Sequence, residues 1–175
     1  LPIFRHERTK ALKEADVVIL AGVPCDFRLD YGRTINHKAK LISINLSRND
    51  MYLNRRPVKG ILTSPSAFLI DWSNYEGNNT NTKWESWHGQ ITKRNSARET
   101  EIIEQSKLST EYINPMKLCI SINEHIQDGD IIVADGGDFV ATASYILQPR
   151  SFIGWLDPGA FGTLGVGAGF ILGAK

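Results

Sequence analysis

The sequence predicts an α/β fold with a parallel sheet, on three observations. Short apolar runs, Asp16-Val17-Val18-Ile19-Leu20-Ala21-Gly22, Lys40 to Asn45 and Ile131 to Ala134, read as strands buried on both faces. Segments rich in helix formers alternate with them, two opened by an explicit start signal, Ser64-Pro65 and Asn114-Pro115. The chain has 175 residues, the size of one domain or a little more, so it can build a real core. Its 20 Lys and Arg against 19 Asp and Glu leave a net charge of +1, which supplies no field for nucleic acid or anionic lipid.

In chain order, residues 7–15 predict a helix with Ala11, Leu12 and Ala15 on one face. The run at 16–22 follows as the first strand, residues 23–33 as a polar loop, and 40–45 as the second strand. A weaker third strand is expected at Val58 to Leu62, and a helix from Pro65 to about Trp72, capped by Ser64. Residues 76–83 are a polar, Asn-rich loop. Trp84 to about Lys107 predicts a long charged helix with a thin apolar stripe. This reads as a connector between two α/β units, residues 76–112, with a fresh start at Asn114-Pro115. The helix that follows is expected to bury Leu118, Ile122 and Ile126, and Gln127 to Asp130 turns the chain into the strand at 131–134.

That strand runs into Asp135-Gly136-Gly137-Asp138 and then a helical stretch from Phe139 to Ile146. Glycines between a strand and a helix N-terminus let backbone amides approach an anion, a phosphate-friendly geometry. The alternative is a plain β-α turn. Six of the 15 glycines, Gly159, Gly162, Gly165, Gly167, Gly169 and Gly173, fall in the last segment. Gly165, Gly169 and Gly173 recur every four residues and predict a buried helix with a close neighbour. The uncharged stretch from Pro158 to Ala174 is short and glycine-rich for a membrane span. Gly167-Ala168-Gly169 begins a dinucleotide fingerprint, but the third glycine, Gly173, comes one place late. Cys25 and Cys119 make no disulfide framework and form no C-x-x-C, and His6, His37, His88 and His125 lack metal-ligand spacing. The chain begins at Leu1 and ends inside a glycine-rich apolar run, which reads as an internal piece of a longer protein.

Two blocks, Val133 to Ala143 and Trp155 to Phe170, together resemble the start of the diphosphate-binding domain of thiamine-diphosphate enzymes of the acetolactate synthase group. Upstream, Ala21-Gly22 through Asp26-Phe27-Arg28-Leu29-Asp30-Tyr31-Gly32 resembles the later part of that group's central domain. Within the group the chain resembles the 2-hydroxyacyl-CoA lyase branch. The resemblance covers nearly the whole chain apart from the loop near Asn78. It implies the C-terminal part of a Rossmann-like (DHS-like) central domain over residues 1–75, the connector over 76–112, and the start of the diphosphate-binding domain over 113–175.

The resemblance also implies a chemistry, a carbon–carbon lyase cleaving 2-hydroxyacyl-CoA to an aldehyde and formyl-CoA. An acetolactate synthase-type carboligase acting on a 2-oxo acid is the alternative within the group. A non-catalytic nucleotide-binding module is the alternative outside it. Thiamine diphosphate is the implied cofactor, with its diphosphate on Gly137, Asp138 and Phe139. Leu164 would be the apolar wedge that bends it, a position where the group more often carries Met. The Gly162 carbonyl and the Leu164 amide would hold its pyrimidine. A carboxylate at Asp138 would repel a diphosphate, so capping of the next helix is its alternative role, and Asp135 reads as structural. The Mg2+ ligands and the activating glutamate are expected outside this segment, the latter from a partner subunit. The segment by itself is therefore expected to be inactive and without useful affinity for the cofactor. FAD or an ADP-like group in the central domain would lie at the loop after Gly22 and at Asn45 to Ser47, where no sharp nucleotide motif stands. A homodimer or homotetramer with the cofactor at the subunit interface is implied. So is an endoplasmic-reticulum membrane anchor in the parent protein, a cytoplasmic or peroxisomal location being the alternative.

Overall fold

A computed structural model describes residues 4–75, 84–151 and 153–175. The polar loop at 76–83 lies outside the described residues. The chain divides into two compact units, Leu1–Thr92 and Lys93–Lys175. The division falls within a long helix and not at a loop.

The first unit is an α/β layer. Helix α1 (Arg8–Glu14) leads to β1 (Val17–Ala21), a 3-10 turn (Phe27–Gly32), β2 (Lys40–Asn45), a one-turn α2 (Arg48–Met51), β3 (Lys59–Leu62) and α3 (Pro65–Ser73). The strands form a parallel sheet in the order β1-β2-β3, with Val18 opposite Leu41 and Ile44 opposite Ile61. Central β2 is the best-buried strand: Leu41, Ser43, Ile44 and Asn45 are all buried, Ile44 completely. Edge strand β1 departs from the expectation of burial on both faces. Val18 and Leu20 are buried, but Val17 is 45% exposed and Ile19 and Ala21 are only partly buried, the alternation of a strand with one face better covered than the other. The core joins Ala15, Val18, Leu20, Cys25, Leu29, Ile35, Ala39 and Leu41, with Leu12 and Trp87 packed against it.

The loop after β1 is held by two arginines. Asp26 accepts the Arg28 amide at 3.0 Å and its guanidinium at 2.7 Å. Arg55 donates to three carbonyls, of Gly32 at 3.1 Å, Ile35 at 2.7 Å and Asn36 at 2.6 Å. One planar fork satisfying three backbone acceptors fixes a loop that has no ladder of its own. Ser64 does stand at the N-cap position of α3, but its hydroxyl bonds to that of Ser66 and caps no amide.

The second unit holds α4 (Glu85–Ser106) from its Lys93 onward, α5 (Pro115–His125), β4 (Ile132–Val133), α6 (Asp138–Ile146), β5 (Trp155–Leu156), a 3-10 turn (Gly159–Phe161) and α7 (Gly167–Ala174). Strands β4 and β5 pair in parallel, Ile132 with Trp155 and Val133 with Leu156. Strand β5 falls where the sequence pattern predicts no strand. Strand β4 is shorter than its apolar run, among the described residues it pairs with β5 alone, and Ile132 and Val133 are only partly buried. Asn114 caps α5 as expected: Oδ1 accepts the amides of Met116 (3.0 Å) and Lys117 (3.3 Å). The buried face of α5 is not the one expected. Cys119 is fully buried, among Met116, Ile120 and Ile126, while Leu118 and Ile122 are 38% and 41% exposed. The reason is position on the helix. The stripe that packs into the core joins Met116 to Cys119 and Ile120, three and four positions on, and leaves 118 and 122 off its line.

Replacing Asn114 by Ala should destabilise the second unit by about 1–2 kcal/mol, read as a lower urea midpoint. Asn114→Asp should recover part of this, because it restores Oδ1 but not the donor to the Gln105 carbonyl at 3.0 Å. A second outcome concerns pH. Hydrogen bonds from Arg28 hold the Asp26 carboxyl below the ordinary carboxylate range. A depressed folded-state pKa contributes stability above the unfolded value, about 4, and loses it as pH falls through the folded value. Wild type should therefore exceed Asp26→Asn in stability at pH 6, by less than about 1 kcal/mol because the pair is at the surface. That margin should vanish on acidification, as measured by urea titrations between pH 6 and pH 2.

Candidate functional site

Parallel pairing sends the carboxyl ends of β4 and β5 to the same edge, and a glycine-bearing turn leaves each of them. After β4 the ladder extends by one bond, the Ala134 amide to the Leu156 carbonyl at 2.9 Å, and then the backbone breaks into Asp135-Gly136-Gly137. Gly137 occupies the N-cap position of α6 with φ 83° and ψ −179°, a conformation open essentially to glycine alone. A Cβ on it would meet nothing within 4 Å, so the requirement is one of backbone and not of space. Asp138 is the first residue of α6 and makes no side-chain cap. The capping alternative for Asp138 is therefore corrected: the cap position was already taken by Gly137. Its carboxylate instead sits in the first turn, where the helix dipole favours negative charge.

The second turn begins at Asp157. Its carboxylate takes the Trp155 indole N–H at 2.8 Å and the Gly159 amide at 2.7 Å, which bends the chain through Pro158. Gly159, Gly162 and Gly165 all have positive φ, of 55°, 60° and 87°. The turn they make returns Leu164 to the first turn: a Cβ built on Gly136 would run into Leu164 Cδ2. Asp135 completes the junction, Oδ1 accepting the amides of Gly165 at 2.6 Å and Val166 at 3.0 Å.

The structure thus brings together the Gly136–Gly137 turn and the turn bearing Gly162 and Leu164, with Asp138 and Phe139 following in the first turn of α6. Leu164 is 73% exposed, Phe161 90% and Phe139 46%. Leu164 thus touches the Gly136 turn while leaving most of its apolar surface uncovered. The residue that sequence reading underrated is Asp135. Its signal, a carboxylate at a strand end before Gly-Gly, is visible in the sequence, but its partners lie 30 and 31 positions away.

Both cysteines are free and buried, and burial pushes each thiol up, which keeps them protonated and removes them as nucleophiles. His6 is buried. His88 meets the Phe4 ring edge-on at 5.5 Å, and His125 Nδ1 lies 2.8 Å from the Ser121 carbonyl oxygen. Among the described residues no three His, Cys, Asp or Glu side chains come together as a metal site, and no helix is long and apolar enough to cross a membrane. A hollow of about 550 Å³ beside α5 is lined by Leu108, Tyr112, Ile113 and Leu118 and includes no residue of either turn. The glycine-grooved helix is corrected as well. Gly165 lies before α7, Gly169 and Gly173 are exposed, and only Gly167 makes a close approach, a Cβ there lying 3.1 Å from Asp135 Oδ2.

The packing of Leu164 on Gly136 gives a testable coupling. Gly136→Ala should turn the Leu164 side chain aside at a cost below about 1 kcal/mol, because Leu164 is 73% exposed and its tip is free to move. In the Gly136→Ala/Leu164→Ala double variant most of that loss should disappear, because the obstructing atoms are gone. Urea midpoints of the four proteins in the cycle check this, and an additive result would show that the two side chains do not meet.

No protein-family model matches the chain. It is 42% identical over 177 residues to 2-hydroxyacyl-CoA lyase 2 of Mus musculus, covering 98% of this chain and 28% of that protein. It is 44% identical over 190 residues to 2-hydroxyacyl-CoA lyase 2 of Xenopus laevis, covering 99% and 28%. Against the acetolactate synthase large subunit IlvG of Mycobacterium tuberculosis it is 30% identical over 175 residues, covering 98% and 31%. The chain spans less than a third of the length of these relatives. The resemblance carried by its two glycine-bearing blocks is borne out: over 98% of its length the chain is a relative of 2-hydroxyacyl-CoA lyase 2 and, at lower identity, of acetolactate synthase.

Proposed function

We propose that the chain forms part of a thiamine-diphosphate-dependent carbon–carbon lyase that cleaves a 2-hydroxyacyl-CoA to an aldehyde and formyl-CoA. On this reading residues 1–75 are the later part of a Rossmann-like central domain, 76–112 connect, and 113–175 begin the diphosphate-binding domain. The observation that carries it is the junction of the two glycine turns at one sheet edge, with an exposed Leu164 standing over Gly136. The names of the relatives, 2-hydroxyacyl-CoA lyase 2 at about 40% identity, support the substrate class.

The residues present suit such a cofactor. Gly137 has its Cβ side open, so a diphosphate can approach the amides at the start of α6, where the helix dipole adds to the attraction. Asp138, in the first turn of α6, opposes that attraction, and the magnesium ligands belong to segments outside this chain. Leu164 supplies apolar bulk with no polar atom to solvate. Gly162 has φ 60°, and a Cβ built on it would meet nothing within 4 Å, so its backbone is open to an approaching ring. When bound, thiamine diphosphate supplies a thiazolium carbon that accepts the electrons of the bond being cleaved. The chain's own part is to hold and bend: the amides of Gly137, Asp138 and Phe139 take the anion, Leu164 supports the bend, and the Gly162 carbonyl accepts from the pyrimidine amino group. The remaining parts would come from other segments and from a second subunit, in a homodimer or homotetramer. The parent's place at the endoplasmic-reticulum membrane belongs to the same reading.

The 30% identity to acetolactate synthase favours a second reading, a carboligase of 2-oxo acids on the same scaffold. Assaying the whole protein for 2-hydroxyacyl-CoA cleavage and for pyruvate condensation separates the two. The expected outcome is aldehyde and formyl-CoA from the first and no acetolactate from the second. Absence of both activities with cofactor and magnesium present would leave only a non-catalytic module. Leu164→Ala tests the wedge. Because Leu164 is 73% exposed, its loss should move the melting temperature little. Turnover should fall on the order of 10²-fold, the cost of a misplaced reacting geometry. Normal turnover in the folded variant would remove Leu164 from the site.

A further inference from the structure

The two turns share one carboxylate. Asp135 Oδ1 accepts both the Gly165 amide at 2.6 Å and the Val166 amide at 3.0 Å. Gly167 stands against the rest of the side chain: a Cβ there would lie 3.1 Å from Oδ2 and 3.3 Å from the Asp135 Cβ. Bonds from amides to an ionised acceptor are about twice as strong as neutral ones. Asp135 is also the chain neighbour of Gly136, on which Leu164 rests. The β4–β5 ladder ends at the Ala134 amide, so past that point Asp135 carries the register between the turns.

We propose that Asp135 is the positioning residue of this site. Its carboxylate sets the separation between the Gly136–Gly137 turn and the Gly162–Val166 turn, and through the backbone it sets the place of Leu164. It touches neither cofactor nor substrate in this role. The inference rests on the reading that these turns hold thiamine diphosphate.

The test uses the whole protein in three variants, with two readouts besides turnover: amide exchange by mass spectrometry without added cofactor, and thiamine diphosphate affinity by calorimetry with magnesium. Asp135→Ala should raise exchange at Gly165 and Val166 on the order of 10-fold or more, the worth of one charge-assisted hydrogen bond. Exchange elsewhere and the melting temperature should stay near wild type. Cofactor affinity should fall on the order of 10-fold by the same reasoning, and turnover at saturating cofactor on the order of 10²-fold. Asp135→Asn keeps Oδ1, the atom both amides use, and should recover much of the protection and part of the turnover. Gly167→Ala keeps the carboxylate but crowds it, and should move the same readouts in the same direction by less.

Unchanged exchange at Gly165 and Val166 in Asp135→Ala overturns the clamp. Raised local exchange with wild-type affinity and turnover overturns the positioning role. A general rise in exchange, a lower melting temperature and normal turnover in the folded fraction would make Asp135 a stability residue only, and so overturn it too. A wild-type protein that does not bind thiamine diphosphate sinks the reading of the site, and the positioning role with it, whatever the exchange data give.

Discussion

Parallel pairing of two strands places both of their carboxyl ends at one edge, and everything proposed for the second unit depends on that constraint. The pair is short: β4 and β5 match two residues each, with one further bond from the Ala134 amide to the Leu156 carbonyl. A ladder this short fixes direction but gives little leverage over the turns beyond it. The leverage comes from carboxylates. Asp157 shapes the turn after β5 by taking an indole N–H and the Gly159 amide, and Asp135 ties the end of that turn back to the strand next to it. Glycines at φ between 55° and 87° make the turn possible, because any other residue would strain it.

The first unit solves a similar problem with the opposite charge. Its loop from Asp26 to Asn36 includes Asp30 and Tyr31 in the left-handed region, an unfavourable conformation for residues with a Cβ. What holds it is a set of donors, chiefly the Arg55 guanidinium on the carbonyls of Gly32, Ile35 and Asn36. Loop carbonyls call for a cation with several N–H groups, and loop amides call for a carboxylate. Asp157 acts locally, but Arg55 and Asp135 reach their loops from 19 to 31 positions away, so those contacts exist only once each unit has folded.

The apolar surface follows the same division. Core residues such as Ile44 and Cys119 are sealed within their own units. The exposed apolar side chains of the second unit include Phe161, Leu164, Ile171 and Leu172, on the second glycine turn and on α7.

The sequence by itself determined the class of fold and most of its elements. The apolar run at 40–45 is β2 at those bounds, and Asn114-Pro115 opens α5, because propensity and capping are local and act within a few residues. It also determined the kinship, since the blocks at 133–143 and 155–170 are conspicuous as strings. Tertiary structure decided which faces are buried and which residues meet. Leu118 and Ile122 fit a helical stripe as well as Met116 and Cys119 do, and the packing of Ile102, Ala143 and Ile146 around the latter selected them. The Asp135 carboxylate lies 30 residues from the Gly165 amide, and no local rule links the two. They are brought together by the pairing of β4 with β5, a contact whose energy exists only once the chain between them has been folded back.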